Sequence, residues 1–262
     1  MQVSTRPPVV LIIAGNDPSG GAGLAADIQA VTALGGHPAP VITALTVQDT
    51  VNVRQVEAIS PQLVIRQVET VLADMPVAAI KLGLLADAGI GRAVAQVLRE
   101  HAGIPVVLDP VLAAGGGAQL AEKALIAVYL EALLPLATIV TPNTTESRRL
   151  APNATDMQAR AAVLLARGCR HVLIKGADED TADVHNILFN QEGTQKEFTW
   201  PRLPGKYHGS GCTLAAAIAI LLAKGRASFE AVEIAQQYTW ETLKRGWHLG
   251  KGQAIPNRQI RP

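Results

Sequence analysis

The chain has 262 residues, of which 17% are charged, 23 Lys+Arg against 22 Asp+Glu, for a formal net charge of +1. A hydrophobic content of 48% excludes disorder, the balanced charge excludes a long nucleic-acid or membrane-surface footprint, and 3% aromatics leave too few rings for a base-stacking platform. Two cysteines cannot form a disulfide framework, so a reducing cytosol is expected. No targeting signal is read, because the apolar run 9–14 is only a strand long, and the longest later run, 214–223, is half a membrane span. A soluble, cytoplasmic protein is predicted.

In chain order, residues 9–14 (VVLIIA) form a short continuous apolar run, as in a strand buried on both faces. A glycine-rich turn leads to a helix over 24–34, stopped by Gly35-Gly36. A strand at 41–45 and an edge strand within 51–59 follow, and Pro61 opens a helix to 73. Strand 78–82, helix 88–101, strand 106–109, helix 119–134, strand 138–141, helix 144–150, helix 159–167 and strand 172–175 continue the alternation. Segments 184–189 and 196–200 flank a polar turn and predict a β-hairpin. Helices 211–224 and 229–245 precede a polar tail from Gly246. The pattern predicts one α/β domain over 1–262, with a mostly parallel central sheet, helices on both faces and a small hairpin near 184–200. Ligands in such sheets bind beyond the carboxyl ends of the strands, where the unusual residues of this sequence fall.

Gly15, Gly20, Gly21 and Gly23 would let the backbone approach a ligand closely, although a plain strand-to-helix turn reads the same way. The stretch is neither a Walker A sequence nor a GxGxxG fingerprint. Asp27 is a solvated acid complementing the helix dipole or a ligand contact. Gln48 can donate to and accept from a heterocycle, or belong to an ordinary loop. Asp109-Pro110 starts a turn or binds magnesium, and Gly115, Gly116 and Gly117 follow it. Asn143 and Glu146 have the spacing of a capping box, and Glu146 reads equally as a holder of a magnesium–phosphate group. Lys175 is a phosphate contact or a snorkelling surface lysine.

The most informative run is His208-Gly209-Ser210-Gly211-Cys212-Thr213, ahead of an apolar helix. The first turn of that helix offers unpaired N–H groups to an anion. The same position is expected to lower the pKa of Cys212 and make it a base or nucleophile, whereas Cys169 reads as a small buried hydrophobe. The six histidines show no zinc spacing, and Trp200, Trp240 and Trp247 read as packing residues.

Taken in order, AGNDPSGGAGLAAD (14–27), VITALTVQDT (41–50), KLGLL (81–85), VVLDPVL (106–112), TPNTTE (141–146), VLIKG (172–176) and HGSGCTLAAAIA (208–219) resemble the hydroxymethylpyrimidine/phosphomethylpyrimidine kinases of thiamine biosynthesis, in the ribokinase-like superfamily. The resemblance covers nearly the whole chain; the middle motifs are shared with pyridoxal kinases. It implies a three-layer ribokinase-like fold and ATP-dependent phosphorylation of 4-amino-5-hydroxymethyl-2-methylpyrimidine and of its monophosphate. A pyridoxal-type vitamin kinase, or a non-catalytic binding protein on the same scaffold, is the alternative. By the resemblance, Gly15, Asp27, Gln48, Leu84 and Leu112 would hold the pyrimidine, and Gly209, Ser210 and Gly211 the transferring phosphoryl group. Cys212 would be the base. Asp109, Asn143, Glu146 and Lys175 would organise ATP, with Asp109 and Glu146 on Mg2+ and a monovalent cation as an optional addition. A homodimer with no nucleic-acid or membrane partner is implied. The sequence departs from the family at Ala25-Ala26, at 112–118, which lacks the usual lysine and Ser-Gly, and at Ala177-Asp178-Glu179-Asp180, where Gly-His is usual.

Overall fold

The computed structural model describes residues 6–112 and 123–260. In β1 (Val9–Asn16), Val9, Leu11 and Ile13 join one apolar cluster while Val10, Ile12 and Ala14 join another. A strand apolar on both faces belongs inside a sheet covered on both sides. β1 accordingly lies between two parallel partners, β2 (His37–Gln48) and β4 (Val77–Leu82). The other strands are β3 (Val53–Ala58), β5 (Val106–Leu108), β6 (Ile139–Val140), β7 (His171–Lys175), β8 (Asp183–Asn190) and β9 (Gln195–Pro201). The nine run in the order β3-β2-β1-β4-β5-β6-β7-β8-β9. Pairs β2–β3, β7–β8 and β8–β9 are antiparallel and the others parallel.

One face is covered by α1 (Gly23–Ala33), α7 (Ser210–Ala223) and α8 (Ser228–Lys244). The other is covered by α2 (Pro61–Asp74), α3 (Ala88–Glu100), α4 (Lys123–Val128) and α6 (Met157–Leu165). The short α5 (Thr144–Leu150) follows β6. α7 is buried without a break from Thr213 to Leu221, as expected of a helix that is apolar all round. Among the described residues no helix is long and apolar enough to cross a membrane.

Two elements differ from the sequence expectation. β2 begins at His37, not 41. The His37 N–H donates to Pro8 O of the β1 side, so the nitrogens of Pro38 and Pro40 face away from β1. β3 pairs only with Ala44 and beyond, which leaves these prolines on an edge where their missing N–H groups cost nothing. The expected single helix 119–134 is instead α4 followed by a π turn (Tyr129–Leu133) and a 3-10 turn (Leu134–Leu136); Pro135 cannot donate to the α-helical ladder. Its first four residues, and the 113–118 segment, lie outside the described residues.

The chain leaves β1 toward β2 on one side and returns as β4 on the other. The crevice beyond these strand ends is the ligand position of an open α/β sheet. Gly15 sits there so close to Leu84 that an added Cβ would lie 3.0 Å from its Cδ2.

Candidate active site

A cavity of about 770 Å³ opens along the carboxyl ends of the parallel strands. Gly15, Gln48, Leu84 and Leu112 lie on its wall, as do Asp109, Asn143, Glu146, Lys175 and Gly209 to Cys212. Asp27 does not. It is completely buried and reaches the wall through Lys81, whose ammonium it meets at 2.7 Å. The solvated-acid reading of Asp27 is therefore overturned. Its second oxygen, Oδ1, has no hydrogen-bond partner among the described residues.

Hydrogen bonds orient Gln48. The Thr46 hydroxyl donates to Asn16 O at 2.8 Å, so Thr46 Oγ1 accepts from Gln48 Nε2 at 2.6 Å. This leaves Gln48 Oε1 as an acceptor.

Two glycine turns also meet at the cavity. Gly209, with φ +78°, caps α7, and a Cβ there would lie 2.0 Å from Gly21 O. Glycine is required by both the backbone conformation and the contact. Asp17 organises the first turn by accepting from Ser19 N, Ser19 Oγ and Ala22 N, and pairs with His208 Nε2 at 2.8 Å. Burial works against its charge, but the His208 and Ser19 bonds hold the Asp17 carboxyl below its usual range. The start of α7 also faces charged side chains: a Cβ on Gly211 would lie 3.1 Å from Lys175 Nζ and 3.5 Å from Asp109 Oδ2.

Lys175 pairs with Asp109 at 3.0 Å, and Thr141 Oγ1 donates to the same carboxylate at 3.0 Å. Lys175 is thus a wall residue and not a snorkelling surface lysine. Asn143 and Glu146 form the complete capping box of α5: Glu146 N donates to Asn143 Oδ1 at 2.7 Å and Asn143 N to Glu146 Oε2 at 2.8 Å. The cap does not exclude a site role, because Glu146 is also on the wall. Burial first, opposed by Lys175 and reinforced by Asp109, pushes its carboxyl up to about 7. The acidic 177–180 stretch has a structural use as well. Asp178 accepts from Thr144 N, Thr145 N and Thr145 Oγ1 at the start of α5.

Cys212 corrects an expectation. Burial pushes its thiol up to about 11; Lys81 opposes this, Asp27 and Asp109 add to it, and a hydrogen bond to the Gly23 backbone offsets part of it. The helix-terminus argument left out desolvation and the two carboxylates. Lys81 stays charged: burial disfavours its ammonium, but Asp27, then Cys212 and Asp109, hold its pKa above the usual value. Cys169, by contrast, is buried as expected, with its thiol donating to Leu164 O.

Sequence reasoning missed Lys81, the Asp17–His208 pair, and the wall positions of Trp200 and Trp240. A lysine within a buried strand was the available signal for the first. The two tryptophans, with ring centroids 6.2 Å apart, pack together and also line the cavity.

A three-layer α/β fold that brings a glycine-capped helix start, two acids and a lysine to one cleft has the parts of a small-molecule phosphotransferase site. The family model described as phosphomethylpyrimidine kinase matches residues 17–257, and the chain belongs to that family. It is 40% identical over 251 residues to the hydroxymethylpyrimidine/phosphomethylpyrimidine kinase of Salmonella typhimurium, covering 94% of each chain. It is also 40% identical over 253 residues to the thiamine biosynthesis bifunctional protein ThiED of Geobacter sulfurreducens, covering 95% of this chain but 51% of that protein. This chain therefore spans about half of that bifunctional relative. Among solved structures, the pyridoxal kinase of Staphylococcus aureus in complex with ADP superposes with a TM-score of 0.87 at 29% identity, covering 97% of this chain and 94% of that one. The phosphomethylpyrimidine kinase of Clostridium difficile gives 0.76 at 31% identity, covering 88% and 97%. The fold is ribokinase-like, and the chain is a kinase.

Proposed function

We propose that this chain transfers the γ-phosphoryl group of ATP to the hydroxymethyl oxygen of 4-amino-5-hydroxymethyl-2-methylpyrimidine, and then a second phosphoryl group to the monophosphate. It does so as a single cytoplasmic kinase domain over 1–262, acting as a homodimer. The observation that carries this reading is that Gln48, the first turn of α7 and Cys212 all line one cavity.

Gln48 Oε1 accepts from the ring amino group, and the Gly15 backbone, Leu84 and Leu112 enclose the ring. Asp27 acts through Lys81, which it fixes at the cavity wall. The N–H groups of Gly209, Ser210 and Gly211 receive charge that develops on the transferring group. Cys212 accepts the hydroxymethyl proton. Its raised pKa makes the thiolate scarce but strongly basic, and a loose transition state requires proton removal only late. Lys175 offers its ammonium to phosphate oxygens, and Asn143 holds Glu146 in place.

Asp109 and Glu146 fit a magnesium ion: both are hard oxygen donors, and Glu146 is already burdened by the charge of Asp109. Magnesium takes one or two carboxylates with phosphate oxygens completing its shell. When bound, it would draw negative charge from the phosphates.

Pyridoxal phosphorylation is a second reading, favoured by the superposition on a pyridoxal kinase. ADP release with each alcohol in parallel tests both. The expected result is the higher kcat/KM with the pyrimidine; a higher value with pyridoxal replaces the first reading with the second.

A further inference from the structure

Arg258 lies one residue past the family match, in the segment read from sequence as a polar tail. In the fold it is 1% exposed and heads the largest fully buried side chains. Its guanidinium reaches three elements. Nε donates to Thr213 Oγ1 at 2.7 Å in α7, Nη2 to Gly21 O in the first glycine turn, and Nη1 to Gln29 Oε1 at 3.4 Å in α1. Thr213 Oγ1 in turn donates to Gly209 O at 2.9 Å, at the cap of α7. The arginine is itself anchored, since the Tyr238 hydroxyl donates to its carbonyl at 3.0 Å and Asn257 N donates to Thr242 O at 2.9 Å.

A buried arginine that only stabilises a fold is normally paired with a carboxylate. Arg258 has none within ion-pair distance among the described residues. Its charge is answered by a carbonyl, a hydroxyl and an amide oxygen, with Asp17, Asp27 and Cys212 near enough to act on it. That charge sits behind the first turn of α7 and has the same sign as the partial charge of a helix N-terminus. A rigid guanidinium fork is also suited to fixing several acceptors at once.

We propose that Arg258 is a positioning residue for phosphoryl transfer: it locks the Gly21 turn against the first turn of α7 and adds a buried positive charge behind the N–H cradle. The proposal rests on the kinase reading above, and its test separates the two. Activity of the unaltered protein with Mg-ATP and the hydroxymethylpyrimidine is measured first; its absence contradicts the kinase reading. With activity present, Arg258→Met is expected to lower kcat about 10- to 100-fold, less than the ~10²–10³ of losing a direct donor. The pyrimidine KM should stay within about threefold. Arg258→Lys, which keeps the charge, should recover most of the loss. Added guanidinium ion should restore Arg258→Ala, whereas urea, similar in shape but neutral, should not. Equal rescue by urea, or a kcat for Arg258→Met within about threefold of the unaltered protein, overturns the proposal. If neither the Met nor the Ala variant folds, Thr213→Val, which removes the hydroxyl between Arg258 and Gly209, decides it. A drop in kcat with the pyrimidine KM unchanged supports the proposal, and unchanged kcat overturns it.

Discussion

Glu146 caps α5 and is proposed to hold magnesium, and one substitution can separate the two roles. Its carboxylate accepts the Asn143 N–H in the capping box, and it lies beside Asp109 and Lys175 on the cavity wall. Glutamine also completes a capping box, so Glu146→Gln keeps the cap while removing the charge. Thermal unfolding should change by less than ~1 kcal/mol, while the magnesium concentration for half-maximal rate should rise several-fold. Unchanged stability with unchanged magnesium dependence would assign the residue to the cap alone. Cys212 gives a second prediction at this scale. Alkylation at Cys212, followed by peptide mass, should rise about tenfold per pH unit through the neutral range, because its thiol titrates near about 11. A plateau below about 9, the range of an ordinary thiol, would mean that the carboxylates and burial do not dominate. Cys212→Ala should lower kcat by ~10²–10⁴ with little change in the pyrimidine KM. The residue types at these positions were legible in the sequence. The sign of the Cys212 shift was not, because the burial that raises it, and the Asp27 and Asp109 charges that add to it, arise only in the fold.

At the scale of elements, the glycine turns are the least tolerant part of the site. A methyl at Gly209 would meet Gly21 O at 2.0 Å on a left-handed backbone, so Gly209→Ala must separate the two turns. Activity should fall at least about tenfold, as for misplaced catalytic groups, while circular dichroism retains the helical spectrum; normal kcat would show that the cradle does not need this contact. Strands such as β1 were legible because a run apolar at every position has few alternatives in an α/β chain. The start of β2 was hidden by Pro38 and Pro40, which read as loop until the free edge beside them is known. The π turn at Tyr129–Leu133 was hidden because its apolar spacing is that of an ordinary helix. The alternation of strands and helices predicted the layers, but the tail was read as polar filler, and Arg258 shows how a terminal segment can be drawn into the centre by three scattered acceptors.

For the whole molecule, a contact for the proposed homodimer is offered by the exposed face of the β2–β3 pair. Leu45 and Val47 share a face of β2 there, with Val51 in the following turn, and all three are about half exposed. An exposed apolar patch on a sheet face favours association with another surface that covers it. Sedimentation should give a dimer for the unaltered chain and a folded monomer for Leu45→Asp/Val47→Asp; a monomeric unaltered chain would refute the dimer. The near-zero net charge is compatible with the proposed triphosphate ligand, since the groups proposed to face the phosphates, backbone N–H groups and Lys175, lie inside one cleft and no basic surface is needed. The central claim is the reaction itself, and its most direct measurement is the product mass after incubation with Mg-ATP and 4-amino-5-hydroxymethyl-2-methylpyrimidine. The monophosphate is expected first and the diphosphate on longer incubation. An unmodified pyrimidine, with ADP formed or not, would contradict it.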